Sequence, residues 1–444
     1  MASRGDINKK EIQPVLSESW EVIPFISSIE NTGTFLKVKT SECFEEGIYP
    51  VIDQSEKDIA GYINNDELLY KGDLPIIIFG DHTRNIKYVD FPFAAGADGT
   101  KILHPSPRLD SKFFYYYLKA LQIPNLGYSR HYSILKQLDV PVPLLNEQKQ
   151  IAEKLDNLFA QIETIKKSTE RIPELLKNFK QQILTYAVTG KLTEDYRNYS
   201  NAKDLHKVIM QIKESRISDT SNKTLKDKLE KIYFDSNSSL DFSIPKQWIP
   251  VNLDKICDSF VYGTSSKSED KGEYPVIRMG NIQNGKLDWS DLKYTSDKSE
   301  YMKYKLNVGD ILFNRTNSPE LVGKTTVYDA QRAACYAGYI IKIDPYRKYV
   351  NPYYLNIVLN SQYAKRWCWE NKTDGVSQSN INAHKISKFT IPYPCLSEQE
   401  EIVNRVQSIF AKLDIVEERY NKLCKKLDKL PQALLHKAFK GELL

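Results

Sequence analysis

Apolar residues recur along two stretches of the chain at intervals that alternate between four and three. The first runs Ile151, Leu155, Leu158, Ile162, Ile165, Thr169, Ile172, Leu176, Phe179, Ile183, with Thr169 its one polar member. The second runs Ile402, Val406, Ile409, Leu413, Val416, Tyr420, Leu423, Leu427, Leu430, Leu434, each residue 251 positions after its counterpart. An apolar stripe every 3.5 residues predicts a long helix with a coiled-coil seam, because a straight helix drifts about 20° per heptad from such a repeat. Two matched seams in one chain predict that the helices pair with each other, antiparallel, so that the chain folds back on itself. A helix packed only on its own domain is the alternative. Pro173 and Pro431 fall just after seam positions. Each predicts a bend or restart, since proline lacks the backbone donor and crowds the preceding turn.

Ahead of each stretch the pattern changes. Short runs rich in β-formers, IIIFG (76–80), DILFN (310–314), TTVYD (325–329) and GYIIKID (338–344), alternate with Gly, Asn and Asp turns. One aromatic helical stretch follows in each half, FFYYYLKAL (113–121) or YYLNIVLN (353–360). This predicts an α+β fold on a mixed or curved β-sheet, present twice. The repeat is visible directly: NEQKQIAEKLDNLFAQIE (146–163) returns as SEQEEIVNRVQSIFAKLD (397–414) without a gap. Upstream, Trp20 matches Trp248, YPVI at 49–52 matches 274–277, KGD at 71–73 matches VGD at 308–310, and PVP at 141–143 matches PYP at 392–394. Their spacing varies, so the loops between them differ. Residues 193–243 are polar and Ser/Asn/Lys-rich and predict a linker holding one short helix, DLHKVIMQIK (204–213).

With 444 residues the chain has room for about two to four domains. Its apolar runs, such as LPIIIFG (74–80), fall far short of the roughly 20 residues of a membrane span. The opening MASRGDINKK lacks the apolar core of a signal peptide. A cytoplasmic protein without membrane association is expected. Six cysteines without a CxxC pair predict reduced packing residues rather than disulfides or a zinc cluster. A net charge of +5 is too small to argue for nucleic-acid binding except through local patches.

The arrangement resembles the DNA-specificity subunits of type I restriction-modification systems. NEQKQIAEKLDNLF…AVTGKL (146–192) and SEQEEIVNRVQSIF…AFKGEL (397–443) are similar to the family's two conserved regions. IIIFGDHTRNIKYVDFPFAAGADGTKIL (76–103), RMGNIQNG (278–285) and NRTNSPELVGKTTVY (314–328) are similar to its target recognition domains. The resemblance implies a first recognition domain at residues 1–145, a conserved coiled-coil helix at 146–192, a linker at 193–243, a second recognition domain at 244–396 and a second helix at 397–444, related by an internal pseudo-twofold repeat. It further implies a subunit that reads a split sequence in double-stranded DNA, one half per domain. Two modification subunits, which methylate adenine with S-adenosylmethionine, would be recruited, and motor-nuclease restriction subunits would be added for cleavage.

The residues agree with a binding role. A self-sufficient adenine methyltransferase needs a glycine loop for the cofactor and a (Asp/Asn/Ser)-Pro-Pro-aromatic motif. NPYY (351–354) lacks the second proline, matches SKFF (111–114) in the other half, and is explained by proline in the first turn of a helix. GKTT (323–326) is no phosphate loop, because Ser318 stands where one needs glycine. The six histidines show no metal-ligand spacing. No cofactor is therefore expected on this chain. Base reading in the major groove calls for Arg to guanine and Asn or Gln to adenine, with Lys and backbone groups on phosphates. The loops DHTRN (81–85) and GYSRHYS (127–133) supply His82, Thr83, Arg84, Asn85 and Arg130. The loops RMGN, NRTNS and GVSQSN and their surroundings supply Arg278, Asn281, Arg315, Asn317, Lys324, Gln378 and Asn380. Taken singly, each is as readily a solvated or turn-capping group; the set carries the expectation. Because the two sets differ, the half-sites should differ and the target should not be a palindrome. The seam from Ile151 to Ile183 would span about 50 Å at about 1.5 Å per residue, more than one DNA turn of about 34 to 36 Å. A coiled-coil adaptor that binds proteins through its end domains is the rival from another class.

Overall fold

A computed structural model describes residues 9–97, 99–127, 130–197, 204–234, 238–329 and 331–444. The first eight residues of the N-terminal reading, Asp98, Tyr128 and Ser129 of the second predicted loop, and residues 198–203 and 235–237 of the linker lie outside them. The chain forms two compact units, Met1–Glu170 with Arg419–Leu444, and Arg171–Glu418. Among the described residues no helix is long and apolar enough to cross a membrane.

The first unit is built around the strand Ile76–Gly80, buried at all five positions. Alternate side chains of a strand point to opposite faces, so an uninterrupted apolar run must be covered on both. Ile77 and Phe79 join a core with the helix Ser111–Ala120, whereas Ile76 and Ile78 join a second core with Val89, Phe93 and Ile102. The strand lies in an antiparallel sheet ordered Ile29–Glu30, Thr100–Pro105, Ile76–Gly80, Ile86–Val89. YPVI forms the strand Tyr49–Ile52 of a second, mixed sheet, antiparallel to Gly61–Ile63 and parallel to Ala94–Gly96.

The second unit has the same plan. Its antiparallel sheet is ordered Cys257–Tyr262, Ile340–Pro345, Ile311–Asn314, Thr325–Val327. Ile311 and Phe313 face one core and Leu312 another. Its YPVI strand, Tyr274–Ile277, again pairs antiparallel with Lys293–Thr295 and parallel with Cys335–Tyr336. Both units are α+β, as the pattern predicts. GKTT runs into the strand Thr325–Val327, whereas a phosphate loop would open a helix.

The first long helix is Leu145–Thr169; the chain restarts at Ile172–Val188, with Pro173 in the first turn, where a missing N–H removes no helical bond. The last helix, Leu396–Phe439, passes through Pro431 in one piece, so the predicted restart occurs in the first copy alone. The first unit's core takes Ile151, Ala152 and Leu155 together with Leu435, Ala438 and Phe439. The second unit's core takes Ile183, Leu184, Ala187 and Val188 together with Ile402, Val403 and Val406. Lys166 lies 3.3 Å from Asp428 in the first unit, and Lys180 lies 3.0 Å from Asp414 in the second. The seam is buried at Ile151, Leu155, Ile162, Ile183, Ile402, Val406 and Leu427 and half-buried at Leu158, Leu176, Ile409 and Leu413. It is open to solvent at Ile165, Phe179, Val416 and Leu430.

The repeated Glu-Gln at the head of each long helix acts as a clamp. The Trp20 indole donates to Glu147 at 3.0 Å, and the Trp248 indole to Glu398 at 2.8 Å. Gln148 accepts from the Asp110 amide at 2.7 Å and donates to the carbonyls of Arg108 and Pro143 at 2.9 and 2.8 Å. Gln399 accepts from the Asn351 amide at 2.8 Å and donates to Tyr349 and Pro394 at 3.3 and 3.0 Å. Asp110 and Asn351 cap the helices Ser111–Ala120 and Pro352–Leu359. NPYY therefore corresponds to DSKF (110–113), one residue earlier than the sequence match to SKFF.

The described linker holds two substantial helices, not one: Leu205–Ser218 and Lys223–Phe234. Buried Arg216 fixes them to the second unit, donating to the Asp254 carbonyl at 2.6 Å, while the Tyr233 hydroxyl donates to Lys255 at 2.7 Å. All six cysteines are free thiols. Burial pushes Cys335 up to about 11 and Cys368 up to about 12 and raises Cys257 as well, so these three stay neutral packing groups.

Candidate nucleic-acid interface

In the first unit the residue that leaves the central strand, Asp81, joins the two predicted loops. Asp81 is 3% exposed; its carbonyl accepts the His131 amide at 2.8 Å and its carboxylate accepts the Tyr132 amide at 2.8 Å. The turn itself folds inward onto Gln54, because backbone groups leaving a sheet end require partners. Gln54 accepts from the His82 amide at 3.1 Å, the Thr83 hydroxyl at 2.5 Å and the Asn85 amide side chain at 3.0 Å. Arg84, in a left-handed conformation at φ 64°, donates to the Ile123 carbonyl at 3.0 Å. Thr83, Arg84 and Asn85 thus spend side-chain groups on shaping the turn, and Arg130 is the exposed predicted residue of this set.

Sequence reasoning missed a basic and aromatic patch beside this staple. The ammonium groups of Lys101 and Lys136 lie 5.6 and 5.1 Å from the Tyr132 ring centroid. Burial, then the Asp81 carboxylate, pushes the Tyr132 phenol above its ordinary value, so it remains a neutral donor. Two cations held over one ring, two residues from Arg130, suit a phosphate backbone.

In the second unit Arg315 leaves the strand Ile311–Asn314 at the corresponding place. Its carbonyl accepts the Ile381 amide at 2.9 Å, the counterpart of the bond from His131 to Asp81. Its guanidinium lies 4.7 Å from the Tyr262 ring and donates to the Gly338 carbonyl and to Asn380, both at 3.2 Å. Thr316–Asn317, Ser379–Asn380 and Thr373–Asp374 pair as a three-stranded ribbon. The structure therefore brings Arg315, Asn317, Gln378 and Asn380 into one place, with Gln378 exposed. Lys324 donates to Gln283 at 3.1 Å, and burial lowers its pKa. Arg278 and Asn281 belong to a separate loop. Asn281 is 2% exposed, donates to the carbonyls of Asp288 and Asp291 at 3.0 and 2.8 Å, and accepts from the Arg278 amide. The Arg278 guanidinium reaches the Asp291 carboxylate at 3.2 Å. Asn281 holds its loop together; in this conformation it has no exposed group to offer a base.

Known proteins place this architecture. Residues 22–174 and 245–425 match the family described as Type I restriction modification DNA specificity domain. The chain is 28% identical over 397 residues to the type I restriction enzyme EcoBI specificity subunit of Escherichia coli, covering 86% of this chain and 76% of that one. It is 29% identical over 356 residues to the EcoKI specificity subunit of Escherichia coli, covering 77% and 68%. The HsdS subunit from Thermoanaerobacter tengcongensis shares the fold, with a TM-score of 0.54 at 16% identity over 96% of this chain and 98% of that one. The family match lies on both α+β units and on the helices clamped to them, and the chain belongs to the type I restriction-modification DNA specificity family.

Proposed function

We propose that this chain is the DNA-reading, non-catalytic subunit of a type I restriction-modification complex, and that each unit reads one half of a bipartite, asymmetric duplex target. The observation that carries this is the staple at one place in both units, Asp81 to His131 and Arg315 to Ile381, which anchors a turn folded onto Gln54 in one and an arginine-stacked ribbon in the other. A shared scaffold with different surface chemistry is what two unlike half-sites require. Arg130 and Gln378 are the exposed candidates for base contacts, and Lys101, Lys136 and Lys324 for phosphates. Arg84, Asn281, Arg315 and Asn380 position the loops. His82, Thr83, Asn85 and Asn317 are half-buried at the margins.

The long helices set the spacer. Within each unit an ion pair and the core contacts favour antiparallel pairing of the two seams. In the first, Lys166 meets Asp428 while the earlier Ile151 and Leu155 share a core with the later Leu435 and Phe439. In the second, Lys180 meets Asp414 while the later Ile183 and Val188 share a core with the earlier Ile402 and Val406. The 251-residue repeat would then give a pseudo-twofold coiled coil, able to hold two adenine methyltransferase subunits that bring S-adenosylmethionine, with motor-nuclease subunits joining the assembly. An adaptor role is disfavoured by the two dissimilar polar loop sets.

The test is direct. The purified full chain with labelled S-adenosylmethionine should transfer no methyl group to DNA, should gain that activity with the modification subunit of its own system, and should bind duplex more weakly as salt rises. Methyl transfer by the chain free of any partner would overturn the reading.

A further inference from the structure

The ribbon of the second unit ends in a feature that folding does not explain. Its tip, Gly375-Val376-Ser377-Gln378, is exposed throughout, and Val376 has a relative exposure of 110%, so its side chain is packed against nothing. The base of the ribbon, by contrast, is braced. The Gly375 amide donates to the Gln378 carbonyl at 2.8 Å, and the Ser379 hydroxyl donates to the Asp374 carboxylate at 2.5 Å. Lys372 grips both Asp374 oxygens at 2.6 and 2.8 Å while lying 4.4 Å from the Trp369 ring centroid. Lys385 ties the first strand at Thr373, 2.9 Å away. A Cβ on Gly375 would sit 3.0 Å from the Gln378 carbonyl, so the tight turn favours glycine there.

The projecting hairpin of this ribbon, Thr373–Asp374 paired with Ser379–Asn380, is narrow enough for the major groove of duplex DNA, which is about 12 Å wide and admits two strands. A valine at its tip can form no hydrogen bond. Among the groups that base edges display in that groove, the thymine 5-methyl is the apolar one. We propose that Val376 reads the 5-methyl group of a thymine in the half-site served by the second unit. The inference rests on the specificity-subunit reading and deepens it, by naming the base class at one position. Gln378, two residues on, is then placed to bond an adjacent adenine edge.

The experiment uses the full chain assembled with its modification subunit and a duplex carrying the mapped target. Each thymine of the half-site is replaced in turn by deoxyuridine, which removes only the methyl. For the wild-type chain one replacement should weaken binding by about fourfold, the partition of one methyl-sized group, and the others should leave it unchanged. Val376→Ala should bind the parent duplex more weakly and lose sensitivity to that replacement; its side chain contributes nothing to the core, and an unchanged melting temperature checks that folding is intact. Indifference of the wild type at every thymine, equal sensitivity of Val376→Ala, or a half-site without thymine overturns the inference. An apolar wedge driven between bases would give the first of these results. A target bound no better than a scrambled duplex would overturn the specificity reading along with it.

Discussion

Replacing Arg197 by methionine should destabilise the second unit by about 3 to 5 kcal/mol, the usual cost of leaving one member of a buried ion pair without its partner. The Arg197 and Glu398 side chains are 9% and 3% exposed and lie 2.6 Å apart. Arg197 also donates to the Gly190 carbonyl at 2.5 Å and packs over the Trp248 ring at 5.6 Å, while Thr193 donates to Glu398 at 2.8 Å. Methionine preserves the length and the contact with the indole and removes the charge. Glu398 would then keep two neutral donors and face a dry core. Arg197→Met with Glu398→Gln should recover much of the loss, because the orphaned charge is gone. Denaturant midpoints of the two single variants and the double variant measure this. A loss below about 1 kcal/mol for Arg197→Met would class the pair with ordinary surface pairs.

Phe439→Ala should cost the first unit about 3 to 5 kcal/mol, the range for deleting a buried aromatic ring into a core that cannot close the gap. Phe439 is 0% exposed, with ring centroids 5.3 Å from Phe113 and 5.4 Å from Tyr117. Its repeat counterpart, Val188, is 2% exposed in the core of the second unit. Hydrogen exchange should show protection lost around the helix Ser111–Ala120 and retained around Pro352–Leu359. A variant as stable as the parent would mean that the end of the last helix contributes little to the core of that unit.

The sequence made the repeat, the long helices and the α+β class legible because each rests on periodicity, which is local. The clamp was legible only as a motif. Gln148 and Gln399 bond backbone groups of Arg108, Asp110, Tyr349 and Asn351, and no spacing along the chain shows which carbonyl the fold will bring to a glutamine. The same applies to DHTRN, whose polar side chains look available until Gln54, about 30 residues earlier, takes up two of them. Lys101 and Lys136 carry no motif at all; a strand and a short helix create their patch by meeting at Tyr132. The helix Lys223–Phe234 was hidden by its composition, since only Leu229 of its polar sequence is fully buried. Pro431 shows the limit of a residue rule: the rest of a long helix can carry a proline that a shorter one avoids by restarting, as at Pro173.

The division of reading between the two units is tested most directly by mapping methylated adenines across the genome of cells that carry either the wild-type chain or one with the turn 375–378 replaced, together with the modification subunit. The wild type should mark a split, asymmetric motif. The variant should mark a motif altered on one side of the spacer, with the other side and the spacer length unchanged. A variant that alters both halves, or a wild-type motif that is one uninterrupted palindrome, would contradict the assignment of one half-site to each unit.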